Sequence, residues 1–164
     1  MPCLASSRVF LMMAATVGVL APRFLFAAAM FFAMEGDADA AQAMMDAADA
    51  IAYASPDSDL AIAEHLIEEV APFRIEMGQL DLAANTVREA ISVCENHLEA
   101  LRYRETIFDA YLFLGRIYVM DENYIKAEEA FNEAERRVHD SPYEWKLPLC
   151  PENVREKAEL IRSE

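Results

Sequence analysis

The feature that most narrows the fold is a pattern of spacing between residues 111 and 134. Tyr111, Leu114, Gly115 and Tyr118 recur at helical intervals, Asp121 to Asn123 read as a turn, and Tyr124, Ala127, Phe131 and Ala134 again recur every three or four residues. Two helices folded into a hairpin produce such a pattern. It returns 44 residues upstream, where Ile67 answers Tyr111, Val70 answers Leu114, Ala71 answers Gly115, and Leu80, Ala83, Val87 and Ala90 answer Tyr124, Ala127, Phe131 and Ala134. The small residues recur as a set because antiparallel helices approach closely only where side chains are small, with larger apolar groups on either side. Repeated units of this kind stack into a solenoid, since each buries its apolar face only against its neighbours.

The residues Tyr111, Leu114, Gly115, Tyr118, Ala127, Phe131 and Ala134 resemble the tetratricopeptide repeat family, whose pattern runs bulky residue, Leu-Gly, Tyr, then spaced Ala, Phe and Ala. The resemblance implies two hairpins, about 60–97 and 99–140. The first departs from the family at Arg74, where an aromatic is usual, and at Pro72, which should kink its first helix or begin a new one. Gly78 is placed to end that helix in the left-handed conformation. The spacing of 44 exceeds the family's 34, and the ten extra residues fall around His97 to Glu105, as helix on both sides of a turn. Upstream, Ala43, Ala47 and Ala50 match Ala83, Val87 and Ala90 at an offset of 40, suggesting the second helix of a half-repeat. Downstream, Pro148 and Pro151 end a loop and residues 152–162 read as a helix capping the solenoid.

Composition agrees with an all-α fold, a short α-solenoid of antiparallel hairpins with a C-terminal capping helix. The chain of 164 residues has four glycines and is rich in helix-forming Ala, Glu, Leu and Met, so strand content should be near zero. The length suits one compact domain. A net charge of -15 disfavours nucleic acid and anionic membrane surfaces as partners, because phosphate binding rests on a surplus of Lys and Arg. The acidity reads either as a solvated surface or as a match for a basic partner or cations.

The amino terminus reads separately. Between Val9 and Met34 only Arg23 is charged, which suggests a membrane span until the cost of a central Arg, about 2.5 to 3.5 kcal/mol, and the kink of Pro22 are considered. A better fit is a signal peptide: a basic flank ending at Arg23, an apolar segment from Phe24 to Met34, and an A-x-A cleavage pattern at Ala38, Asp39, Ala40. The division expected is therefore 1–40 as signal peptide or N-terminal membrane anchor and 41–164 as the repeat domain, exported to a periplasmic or extracellular location. A buried hydrophobic helix of the domain itself is the third reading.

Few constellations point to chemistry. His65, His97 and His139 form no metal-binding pair at helical spacing, although His65 shares a helix face with Glu68 and Glu69, a metal arrangement or an ordinary exposed face. The carboxylates mostly stand in adjacent or alternate positions, as solvated surfaces do, and Asp57, Ser58 and Asp59 read as cap and first-turn residues. Cys94 and Cys150 are a possible disulfide at one end of the stack, the alternative being a buried thiol and a free one. Trp145, with Tyr143 and Leu147, reads as packing over the solenoid end or as an interaction anchor.

No catalytic, cofactor or metal residues are assigned, and the expectation is a non-enzymatic adaptor. The tetratricopeptide resemblance implies a groove for a protein or peptide partner lined by Asp109, Leu112, Arg116 and Val119, with His65, Glu68 and Ile75 from the preceding hairpin. Its mixed apolar and polar lining suggests an amphipathic helix or extended segment as occupant. A membrane-anchored assembly factor, and an exported ligand-binding protein or hydrolase supported by the hairpins, are the competing expectations.

Overall fold

The computed structural model describes residues 21–53, 59–137 and 149–163, and every regular element among them is helical. Helices α1 (Ala21–Met34) and α2 (Ala38–Tyr53) form a first hairpin. In the second, α3 (Asp59–His65) runs through a π-helical turn (Leu66–Val70) into α4 (Ala71–Glu76), and α5 (Leu80–Glu95) returns. The third pairs α6 (Leu101–Met120) with α7 (Tyr124–Arg136), and α8 (Glu152–Ser163) packs on α7. Residues 1–20, Asp57, Ser58, His139, Tyr143, Trp145 and Leu147 lie outside the described residues.

All three hairpin tips are built on one hydrogen-bond frame. The N–H groups of Asp37, Gln79 and Asn123 reach five residues back to the carbonyls of Phe32, Arg74 and Tyr118, at 2.9, 2.8 and 2.8 Å. Those of Gly36, Gly78 and Glu122 bond Ala33, Ile75 and Val119, at 3.1, 2.9 and 3.1 Å. Such a frame satisfies the last carbonyls of a helix and needs one left-handed residue. Gly36 and Gly78 supply it with φ of 78° and 72°, whereas Glu122 adopts φ 56° with a side chain in place.

The frame fixes a register of three. Ala29, Ala71 and Gly115 stand at one crossing position, Ala41, Ala83 and Ala127 at the next, and Ala48, Ala90 and Ala134 at a third, all of them buried. The match expected upstream is corrected: its partners are Ala41, Met45 and Ala48, with an offset of 42, not Ala43, Ala47 and Ala50, and the unit is a whole hairpin. The segment carries alanine on every face, so the spacing slides freely until the Gly36 turn anchors it. Residue 40, the expected boundary, falls in the first turn of α2, and α1 lies along α2 with Leu25 and Ala29 fully buried.

The second and third hairpins fill the shared frame differently. Pro72 has no N–H to donate, and the helix widens just before it, the Ala71 N–H bonding Leu66 O five residues back. Where the third hairpin has Tyr118 facing the position of Ala130, the second has Arg74 and Thr86. The Arg74 guanidinium donates to the Leu82 carbonyl at 3.1 Å and to the Thr86 hydroxyl, giving buried Thr86 a polar partner. In the third hairpin the two helices approach closely at Gly115, where a Cβ would stand 2.9 Å from the Phe131 ring. At the far end Glu135 receives the N–H groups of Leu149 and Cys150 at 2.7 and 3.2 Å and the Arg155 guanidinium at 2.9 Å, and Arg162 pairs with Glu128 at 2.7 Å. These bonds hold α8 as a charged cap.

Candidate partner groove and the ion cluster beside it

The first helices of the second and third hairpins lie side by side, and a groove of about 220 Å³ opens between them. Glu64, Ile67 and Glu68 line it from α3 and the π-turn, and Arg102, Glu105, Thr106 and Asp109 from α6. Arg102 is the lone cation of this lining and is engaged by Glu64 at 2.9 Å, and Glu68 is paired from outside the lining with Arg23 at 3.4 Å, which leaves Glu105 and Asp109 to set the local field. Partial burial, and then the charge of Glu105, hold the Asp109 carboxyl above its ordinary pKa. The groove is thus short of positive charge.

Of the seven groove residues expected, the structure brings Glu68 and Asp109 together. Arg116 is exposed farther along α6, while Val119 and Ile75 are half-buried against the core. Leu112 and His65 are buried outright. The reason is packing: α6 has α5 and α7 against it as well as α3, so the part of it that lines this groove is a narrow strip near its start. Glu64, Ile67, Arg102, Glu105 and Thr106 were missed because their place in the groove depends on where α3 crosses α6, which no local spacing reveals.

His65 belongs to a separate cluster. Its Nε2 lies 2.8 Å from Asp49 Oδ1 on α2 and its Nδ1 lies 2.8 Å from Glu69 Oε2 in the π-turn, with the residue only 7% exposed. Burial alone would lower the imidazole pKa, but the hydrogen bonds to Asp49 and Glu69 and the charges of both push it up to about 9. The ring is therefore an imidazolium donating from both nitrogens, with no lone pair for a metal or a base role. Arg23 of α1 closes the chain of alternating charge, its Nε 4.0 Å from Glu69 Oε1 and its Nη2 3.4 Å from Glu68 Oε2. The cluster ties the first hairpin to the second. The sequence placed His65 beside Glu68 and Glu69; the structure selects Glu69, turns Glu68 to the groove, and adds Asp49 and Arg23, which nothing in their spacing had pointed out.

Cys94 and Cys150, the two cysteines among the described residues, are separate buried thiols. Cys94 sits near Glu64 and Asp59, and burial, reinforced by those carboxylates, raises its pKa to about 11. Cys150 lies beside Arg155 at the foot of α8, and burial raises its pKa although Arg155 opposes the shift. The disulfide weighed from sequence is absent from this structure because the two residues serve different interfaces, one at α3 and one at α8. No group of three or more His, Cys, Asp or Glu among the described residues is arranged to hold a metal ion, and no described helix is long and apolar enough to cross a membrane. No family model, no curated protein and no solved structure matches the chain.

Proposed function

We propose that the protein is a helical-repeat adaptor that holds a basic segment of a partner protein in the groove between α3 and α6. The observation that carries this reading is the groove lining itself, in which two successive hairpins contribute Glu64, Glu68, Glu105 and Asp109; Arg102 pairs with Glu64 and Arg23 with Glu68, and Glu105 and Asp109 are left in excess. A Lys- or Arg-bearing helix or strand laid there would meet complementary charge and relieve the repulsion between Glu105 and Asp109. The tetratricopeptide-like assignment is part of the proposal, supported by the Tyr111 to Ala134 pattern and the close approach of Gly115 to Phe131. So is the role of holding rather than transforming.

The test is a titration of the full chain with a fluorescent Lys/Arg-rich peptide and with an acidic peptide of equal length. Binding of the basic peptide alone, weakened by salt and reduced at least about tenfold, or 1.4 kcal/mol, in the Glu68→Gln, Glu105→Gln, Asp109→Asn triple variant, is the expected result. Equal binding of both peptides, or an unaffected variant, would overturn it. Export belongs to the same proposal. Sequencing the amino terminus of protein recovered from its native cell distinguishes a cut after Ala40, which removes α1, from a chain that keeps it.

A further inference from the structure

Helix α1 reaches the partner groove through one side chain. Arg23, in the first turn of α1, sets its Nη2 3.4 Å from Glu68 Oε2 and its Nε 4.0 Å from Glu69 Oε1. The two glutamates are neighbours in the π-turn but serve different places. Glu69 is buried with His65 Nδ1 2.8 Å from its Oε2, while Glu68 lines the groove. The pair of Arg23 and Glu68 is open to solvent, the two side chains being 71% and 58% exposed. Such pairs are weak, because water and salt screen them and two long side chains must be held still. A second cation can therefore replace Arg23 on Glu68 while Arg23 keeps its contact with Glu69. Of the four groove carboxylates, two already hold a guanidinium: Glu64 that of Arg102, and Glu68 that of Arg23. Arg102 is part of the groove wall, whereas Arg23 is brought by a hairpin that contributes nothing else to the lining.

We propose that α1 is an autoinhibitory element of this groove, an inference that rests on the basic-segment reading above: Arg23 occupies Glu68 in the place that a cation of the partner takes. With Arg23 seated, the carboxylates left in excess are Glu105 and Asp109, both on α6. With Arg23 withdrawn, Glu68 joins them from the facing wall, and a cationic side chain in the groove meets acid on both sides. The effect is local, since exposed charges act over about 8 Å at physiological ionic strength. A basic partner withdraws Arg23 by competing for Glu68. A cut after Ala40 withdraws it permanently, because it removes α1 and Arg23 with it. Processing of the amino terminus and affinity for the partner are thereby coupled through one ion pair.

Titration of full-chain variants with the Lys/Arg-rich peptide at low salt tests the gating. Arg23→Gln should tighten binding about two- to fivefold, and Arg23→Lys should restore the original affinity. Glu68→Gln, of small effect by itself, should cancel the gain when combined with Arg23→Gln. Arg88→Gln removes the same charge from a separate groove, lined also by Tyr111, Tyr118 and Lys126, and should change nothing. Loss of an exposed pair leaves the fold intact, and circular dichroism checks that each variant keeps its helicity. An Arg23→Gln variant that binds as the unaltered chain does, a gain that survives Glu68→Gln, or an equal gain in Arg88→Gln would each overturn the gating. The groove reading itself then stands if Glu105→Gln with Asp109→Asn still weakens the basic peptide. No preference for the basic over the acidic peptide in any variant overturns both.

Discussion

The second and third hairpins share a backbone frame and reach it by opposite chemistry. The second is joined to its predecessor through Asp49 and the imidazolium of His65, and it fastens its own helices with Arg74 on Thr86. The third is joined through α5 and α6 packed along much of their length, where Ile91 stands at the position of Asp49 and, allowing for the extra residue of the π-turn, Ala110 at that of His65. It fastens its helices by setting the Phe131 ring against Gly115. A polar junction specifies one geometry and depends on protonation, because its charges are stable in the interior only while each has its partner. An apolar junction is indifferent to pH and sensitive to volume. The polar solution falls where Pro72 has forced a π-turn and regular ridge packing is broken.

The largest expected effect is at the polar junction. His65→Ala leaves Asp49 and Glu69 partly buried without their cation and should lower the unfolding free energy by about 3 to 5 kcal/mol in denaturant titration. A loss below about 1 kcal/mol would mean that the cluster is solvated and the contrast with the third hairpin false. The same cluster makes a pH prediction. Because the His65 pKa is raised in the folded chain to about 9, its contribution is complete below about pH 6.5, declines as pH rises, and is gone above about pH 9. Stability should therefore fall by about 3 kcal/mol across that window, with a slope of about 1.4 kcal/mol per pH unit, and the slope should vanish in His65→Gln. Hydrogen exchange should show α1 and α2 losing protection first, since the third hairpin has no such dependence.

A volume change tests the apolar side. Gly115→Ala gains helix propensity yet drives a methyl into Phe131, so a net loss of about 1 to 3 kcal/mol is expected in thermal and denaturant unfolding. Adding Phe131→Val, which copies the Ala71 and Val87 filling of the second hairpin, should recover part of that loss by coupling. Strict additivity of the two would show that the close approach is not what holds α6 and α7. The smallest effects lie in the tips. Glu122→Gly removes a left-handed non-glycine and should stabilise by up to about 1 kcal/mol, whereas Gly78→Ala at the matching position should destabilise by about as much. Differential scanning calorimetry on the pair checks both signs.

How much of this was legible depends on whether a feature is local. The hairpin of residues 111–134, the left-handed Gly78 and the helix near 152–162 could be read because each rests on residues within a turn or two of one another. The first hairpin was half-legible. Its alanines signalled a repeat, but with alanine on every face the register was free, and the packing of Leu25 and Ala29 on α2 was not legible because an apolar helix has the same composition whether it serves export or faces a neighbouring helix. The groove was legible as a helix and a half, through Asp109 and Glu68, while its remaining lining waited on the crossing point of α3 and α6.

The sequence by itself determined the helical class, the hairpin as the unit, and the overall acidity, since propensity, 3.6-residue periodicity and net charge are properties of the chain before it folds. Only the tertiary structure decided that Asp49 would answer His65, that Glu69 and not Glu68 would be its second partner, and that Arg23 would reach both of those glutamates. The pairings made by Asp49 and Arg23 join residues 16 to 46 positions apart, and at that separation proximity is set by how hairpins stack and where a π-turn shifts the helix face, not by any spacing the chain carries along its length.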